Sequence, residues 1–246
     1  MNRRILITIE YKGSAYCGWQ IQKGCKTVQG ELTDALARTC GHPIKLVSSG
    51  RTDEGVHAIG QTAHFDTDCT IPPARIREAA NIHLPDDIKI MRSQLVSPDF
   101  HAIRDAVRKT YIYKMYTGRV QSPLHRLYFA HIPFKVDERK MNQAAAKLVG
   151  THDFTSFMAT GSSVKTTVRT IYWAQVKAEE NQIIFTVSGN GFLYNMVRII
   201  AGTLMEAGRG KVSPEDITAI IAAKDRSLAG KTAPACGLYL KSVEYK

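Results

Sequence analysis

Apolar residues recur along this chain at two spacings, and these sort it into strands and helices. Ile5, Ile7, Ile9 and Tyr11 alternate with Thr8 and Glu10, the period of a strand with one buried face. Residues 13–24 read as a loop. Val28, Leu32, Ala35 and Leu36 then return at helical spacing, with Thr27 placed to cap them. Two short strands are expected at 44–49 and 61–66, a helix from Pro72-Pro73 to about Asn81, and a strand at 88–95. The order is β-α-β-β-α-β.

The second half repeats that order. A strand at 109–117 puts Tyr111, Tyr113 and Met115 on one face. Asp137 caps a helix carrying Met141, Ala144, Leu148 and Val149, which stops at Gly150. Strands at 167–177 and 182–188 flank a turn at Glu180-Asn181, and a long helix covers 192–207. Ser213-Pro214-Glu215-Asp216 is a helix start, and 238–245 is the closing strand. Two β-α-β-β-α-β units make the ferredoxin-like or RRM-like arrangement, twice. The expected fold is therefore α+β. Its two halves join into a continuous, mainly antiparallel sheet with helices on one side and a basic central cleft. The charge shift and the motif count divide the chain into 1–105 and 106–246.

Composition narrows the class. With 246 residues, 44% hydrophobic and 22% charged, the chain can fold as one large domain or two ordinary ones. A bilayer-crossing helix needs about 20 mostly apolar residues, and the uncharged run at 181–197 is broken by Gln182, Ser188, Asn190 and Asn195. No secretory signal is expected in MNRRILITIEY, where the apolar stretch before Glu10 is too short. Cys17, Cys25, Cys40, Cys69 and Cys236 form no CxxC pair and leave one odd, which argues against a zinc ribbon or a disulfide scaffold and fits a reducing cytoplasm.

Charge changes the picture more. The formal net charge is +11, from 33 Lys and Arg against 22 Asp and Glu. Residues 1–105 hold 13 basic and 12 acidic residues, whereas 106–246 hold 20 and 10. One strongly basic half suggests a polyanionic partner, nucleic acid being the commonest, although simple solubility also accounts for it.

The densest polar segment is GRTDEGVHAIGQ, residues 50–61. Arg51 and Asp53 stand two apart, so in an extended loop they can share a side and pair. A carboxylate beside a guanidinium stays ionised and can act as nucleophile or base. The alternative is a structural turn capped by Asp53, with Arg51 paired at the surface. His57 and His64 lack a third ligand at recognisable spacing, so no metal is expected. Gly208-Arg209-Gly210-Lys211 lacks the spacing of a phosphate loop, and no dinucleotide or nucleophile-elbow motif occurs. Tyr111 and Tyr113 can stack a nucleobase or belong to an ordinary core. Arg198 interrupts the apolar run 196–201 and calls for an anion, either a structural acid, Asp53 or a phosphate.

Together these segments resemble the tRNA pseudouridine synthase A family. The matching pieces run in order from end to end: YKGSAYCGWQ at 11–20, Thr27-Val28-Gln29, GRTDEGVHAIGQ, Pro98-Asp99-Phe100-His101-Ala102, KTYIY at 109–113, HDFTSF at 152–157, FLYNMVR at 192–198 and Gly237-Leu238-Tyr239-Leu240. GRTDEGVHAIGQ is the long and specific match. Lys12 departs from the Asp found there in many relatives. The resemblance implies a cytoplasmic homodimer that needs no cofactor and acts on tRNA, with no DNA or membrane partner. It implies conversion of uridine to pseudouridine in the anticodon stem-loop, at tRNA positions 38, 39 and 40. Asp53 falls on the catalytic aspartate and Tyr111 on the tyrosine that stacks the target base. Arg51 and Arg198 fall on arginines near that aspartate, and Leu238 on an apolar wall of the uracil pocket. The competing expectation is a non-catalytic tRNA-binding or folding protein built from two RRM-like units. It leaves the carboxylate of the Gly- and Arg-bearing loop without a task.

Overall fold

The structure is a computed structural model and describes residues 2–161 and 164–246. The chain divides into two compact units, Met1–Val107 with Leu240–Lys246, and Arg108–Tyr239. It is mixed α+β with mainly antiparallel strands, and five α-helices occur among the described residues.

The first unit is built on β1 (Arg3–Tyr11), which pairs antiparallel with β3 (His57–Thr67) on one side and β4 (Ile88–Val96) on the other. Ile5, Ile7 and Ile9 are fully buried. Burial of each such side chain contributes about 1.5–3 kcal/mol, which pins the register of β1. The helix α1 (Val28–Cys40) follows the expected pattern: the Thr27 hydroxyl accepts from the Gly30 N–H, and Gly41 ends the helix at φ 78°. The short α2 (Ile76–Asn81) packs on α1 and β4, after a single 3-10 turn at Pro73–Arg75. With β2 (Val47–Ser48) beside β3, the order β4-β1-β3-β2 is that of a β-α-β-β-α-β unit.

Two strand expectations shift. The strand expected at 44–49 is reduced to Val47–Ser48. The strand expected at 61–66 begins at His57, because Tyr11 pairs with Ala58 and Ile9 with Gln61. Only the first part of GRTDEGVHAIGQ is therefore loop. The C-terminal residues return to this unit, where the Tyr245 hydroxyl lies 2.5 Å from Thr62 Oγ1 and donates to the Ala102 carbonyl.

The second unit departs further from a simple repeat. Its sheet runs β5 (Ala106–Thr117), β9 (Gln182–Gly189), β8 (Val168–Glu179), β7 (Gly150–Asp153), each antiparallel to the next. The extra strand β6 (Ala130–Ile132) joins β5 in parallel. The helix α3 (Glu138–Ala146) is capped by Asp137 as expected, but ends before Gly150, which opens β7 instead. It packs on β8 and on α4 (Met196–Gly208). The long helix starts at Met196 and not at 192, because Asn195 takes a left-handed backbone at φ 58° and breaks the turn before it. Ser213 and Asp216 bond each other's backbone N–H groups reciprocally just ahead of α5 (Asp216–Ala223). The last strand, β10 (Leu238–Tyr245), begins in this unit and ends in the first.

Candidate active site

The loop from Ser49 to Val56 hangs between β2 and β3, and its backbone is fixed from below. Ser49 donates to Gln61 Oε1 at 2.7 Å, and Gln61 Nε2 donates to the Gly50 carbonyl at 3.0 Å. Thr52 is turned inward, 6% exposed. Its hydroxyl lies 2.7 Å from that of Tyr11, and its carbonyl accepts the Trp19 N–H at 3.0 Å. Gly18 lies so close beneath that a Cβ there would meet the Thr52 carbonyl oxygen at 2.7 Å. On the far side of the loop, the Val56 N–H donates to the Asp53 carbonyl at 3.2 Å around Gly55, whose φ of 78° suits glycine. The Gly13 N–H donates to His57 Nδ1 at 3.1 Å and secures the start of β3.

This bracing leaves Asp53 half-buried at the crest of the loop, with Arg51 exposed beside it. Between them Thr52 is anchored inward, while Arg51 is exposed to solvent.

In the second unit Tyr111 lies on β5 opposite Val187, half-buried, with its ring edge-to-face on Phe192 at 5.1 Å. Two positions along, Tyr113 is fully buried and donates its hydroxyl to the Pro234 carbonyl at 2.7 Å, so it is core. Burial pushes its hydroxyl pKa well above the ordinary tyrosine value. At the start of the same strand, burial and then the neighbouring Arg169 charge lower the Lys109 pKa. Arg198 occupies the first turn of α4 and is half-buried. Its Nε donates to the Ala233 carbonyl and its Nη1 to Asn195 Oδ1, both at 2.8 Å. Two of its donors thus meet neutral oxygens, which the sequence reading did not foresee. Leu238 is buried where β10 begins, just after Gly237, whose missing side chain lets the backbone approach the Lys114 carbonyl and the Tyr113 ring.

His57 and His64 are both accounted for structurally. His57 accepts from Gly13 as above, and His64 Nδ1 accepts the Ala102 N–H at 3.2 Å. Burial, with Arg4 next in weight, lowers the His64 pKa to about 4. Among the described residues no group of three or more His, Cys, Asp or Glu could hold a metal ion.

The cysteines hold one surprise. Cys17 and Cys25 are joined as a disulfide with their Cα atoms 6.1 Å apart, although the sequence spacing gave no reason to pair them. The bond clips a surface loop and is not a scaffold. Its pairing follows from the turn that brings Cys17 N–H to the Lys26 carbonyl and Gln22 Nε2 to the Cys17 carbonyl. No helix among the described residues is long and apolar enough to cross a membrane.

Sequence reasoning missed Tyr11, Thr52, Trp19, Asn195 and Ala233 as supports of these side chains. Tyr11 and Trp19 lie within the quoted YKGSAYCGWQ segment, but nothing in that string names their partners.

Comparison with known proteins agrees across nearly the whole chain. A family model described as tRNA pseudouridine synthase matches residues 7–103 and 144–246. A tRNA pseudouridine synthase A from an Exiguobacterium species is 46% identical over 244 residues, covering 99% of this chain and 98% of that protein. The proteins of that name from Bacillus licheniformis and Bacillus subtilis are 48% and 46% identical over 244 residues, each covering 98% of this chain and 99% of its relative. The chain belongs to the tRNA pseudouridine synthase family, a family of isomerases.

Proposed function

We propose that this chain converts uridine to pseudouridine in the tRNA anticodon stem-loop, at positions 38, 39 and 40, with Asp53 as the nucleophile. The observation that carries the reading is the braced loop that presents the Asp53 carboxylate, in a chain of this family. The reaction breaks the N-glycosidic bond, turns the uracil, and joins its C5 to the sugar. A carboxylate can attack the sugar C1′ or assist deprotonation to a glycal, and no redox or metal step is needed. Water has to be kept out, because a freed glycosyl species hydrolyses.

A paired base must first be flipped out at a cost of a few kcal/mol. In our reading the flipped uracil stacks on Tyr111, whose hydroxyl removes the C5 proton at the end, and meets the apolar wall of Leu238. Arg51, exposed and long, fills the space that the base leaves. Arg198, held at two donors, is assigned to the neighbourhood of the reacting carboxylate. The enzyme acts in the cytoplasm as a homodimer, without a cofactor, and binds tRNA but neither DNA nor membrane. The basic balance of residues 106–246 supports most of the phosphate contacts falling there.

Incubation of the purified protein with uridine-labelled tRNA, followed by nucleoside analysis, tests the reading. Pseudouridine confined to positions 38–40 is expected. Tight tRNA binding with no pseudouridine would favour the non-catalytic RNA-binding alternative.

A further inference from the structure

The residue that precedes Asp53 is held through both its side chain and its backbone. Thr52 is buried, with its hydroxyl 2.7 Å from the Tyr11 hydroxyl and its carbonyl on the Trp19 N–H. Tyr11 is 3% exposed at the last position of β1. The pairing of β1 with β3 slips between Ile9 and Tyr11, and this irregularity falls where Tyr11 meets the loop. The Tyr11 ring then packs against Trp19, with ring centroids 6.0 Å apart. The two hydroxyls thus link the end of a central strand to the loop backbone one residue before the carboxylate.

We propose that Tyr11 and Thr52 are positioning residues for Asp53: their hydrogen bond sets the backbone at 52–53 and so the aim of the carboxylate at C1′. The inference rests on the assignment of Asp53 as nucleophile. A misplacement of about 1 Å in a reacting group costs on the order of 100-fold in rate. Removing one hydroxyl also leaves the other buried without this partner, whereas removing both does not.

The test compares Tyr11→Phe, Thr52→Val, Thr52→Ser and the Tyr11→Phe/Thr52→Val double variant, with Asp53→Asn as control. Single-turnover rate at saturating enzyme, tRNA affinity and thermal unfolding are measured for each. Thr52→Val and Tyr11→Phe should each slow turnover about 10- to 100-fold, with affinity within about two-fold of wild type. The double variant should be no slower than the worse single, and Thr52→Ser, which keeps the hydroxyl, should recover most of the rate. Wild-type rates in folded Tyr11→Phe and Thr52→Val, with Asp53→Asn inactive, would overturn the positioning role and leave the site reading standing. A Thr52→Ser variant that folds but is as slow as Thr52→Val would also overturn it. Should Thr52→Val fail to fold, Tyr11→Phe and Thr52→Ser decide alone. An active Asp53→Asn would remove the assignment on which the inference rests.

Discussion

Arg198 and Ala233 are joined twice: the Arg198 Nε–H donates to the Ala233 carbonyl oxygen at 2.8 Å, and the Ala233 N–H donates to the Arg198 carbonyl oxygen at 3.1 Å. A third contact, from Nη1 to Asn195 Oδ1, uses the planar fork of the guanidinium. A lysine has one point of charge and cannot reproduce that fork. Arg198→Lys is therefore expected to lower single-turnover rate at least 10-fold while the fold holds. The left-handed backbone of Asn195 adds a second expectation. Asn195→Ala should cost about 1 kcal/mol in denaturant unfolding, and Asn195→Gly less, because glycine tolerates positive φ.

The Cys17–Cys25 bond gives a stability prediction. Closing a loop of this length stabilises a fold by about 2–3 kcal/mol in the chain-entropy account. Replacing both cysteines by serine should lower unfolding free energy by about that amount under oxidising conditions. With a dithiol reductant present, wild type and variant should coincide. Equal stability in both conditions, with the bond confirmed by mass spectrometry, would show that the clip contributes nothing.

Stability should also fall with acid in two steps. The His64 pKa is lowered in the fold to about 4, against an ordinary value of 6.5, so the unfolded chain binds the extra proton first. Its contribution is complete above about pH 6.5 and is lost as pH falls towards 4. Protonation of Nδ1 would also break the bond from the Ala102 N–H. The lowered carboxyls of Asp66, held by Arg4, and Asp153, held first by Thr167 and Thr155, act below that window: their contribution is complete above their ordinary 3.8 and is lost as pH falls from there through their lowered values. Unfolding titrations of wild type and His64→Gln between pH 4 and 7 check this. The slope should flatten in the variant.

Much of this fold was legible in the sequence, and the gaps have physical causes. Period-2 alternation placed β1, and the capped run from Thr27 placed α1, because those patterns report burial against a local face. The start of α4 was misplaced because Phe192 and Leu193 continue its apolar pattern, while the break lies in the backbone of Asn195. The strands β6 and β7 are three and four residues long, too short to show a period. Asp53 and Arg198 stood out as charges in unusual settings. Thr52 did not, because its partner Tyr11 lies 41 residues away and only the folded sheet brings the two hydroxyls together.

The two roles proposed for Tyr111 separate by substitution. Tyr111→Phe keeps the ring and removes the hydroxyl, whereas Tyr111→Leu removes both. Stacking is worth about 1–3 kcal/mol per base, and a general base about 10²–10⁴-fold in rate. Phe should bind tRNA nearly as wild type and turn over far more slowly, with only a modest further loss in Leu. A wild-type single-turnover rate in Tyr111→Phe would remove the hydroxyl from the chemistry.

The central claim is that the Asp53 carboxylate performs the reaction. Asn keeps the size of the side chain and loses the nucleophile, while tRNA affinity rests mainly on phosphates met by Lys and Arg. Pseudouridine formed in a single turnover by purified Asp53→Asn, measured beside its tRNA affinity, is the most direct test. The account predicts no detectable product and an affinity within a few-fold of wild type. Product formation near the wild-type rate would contradict it.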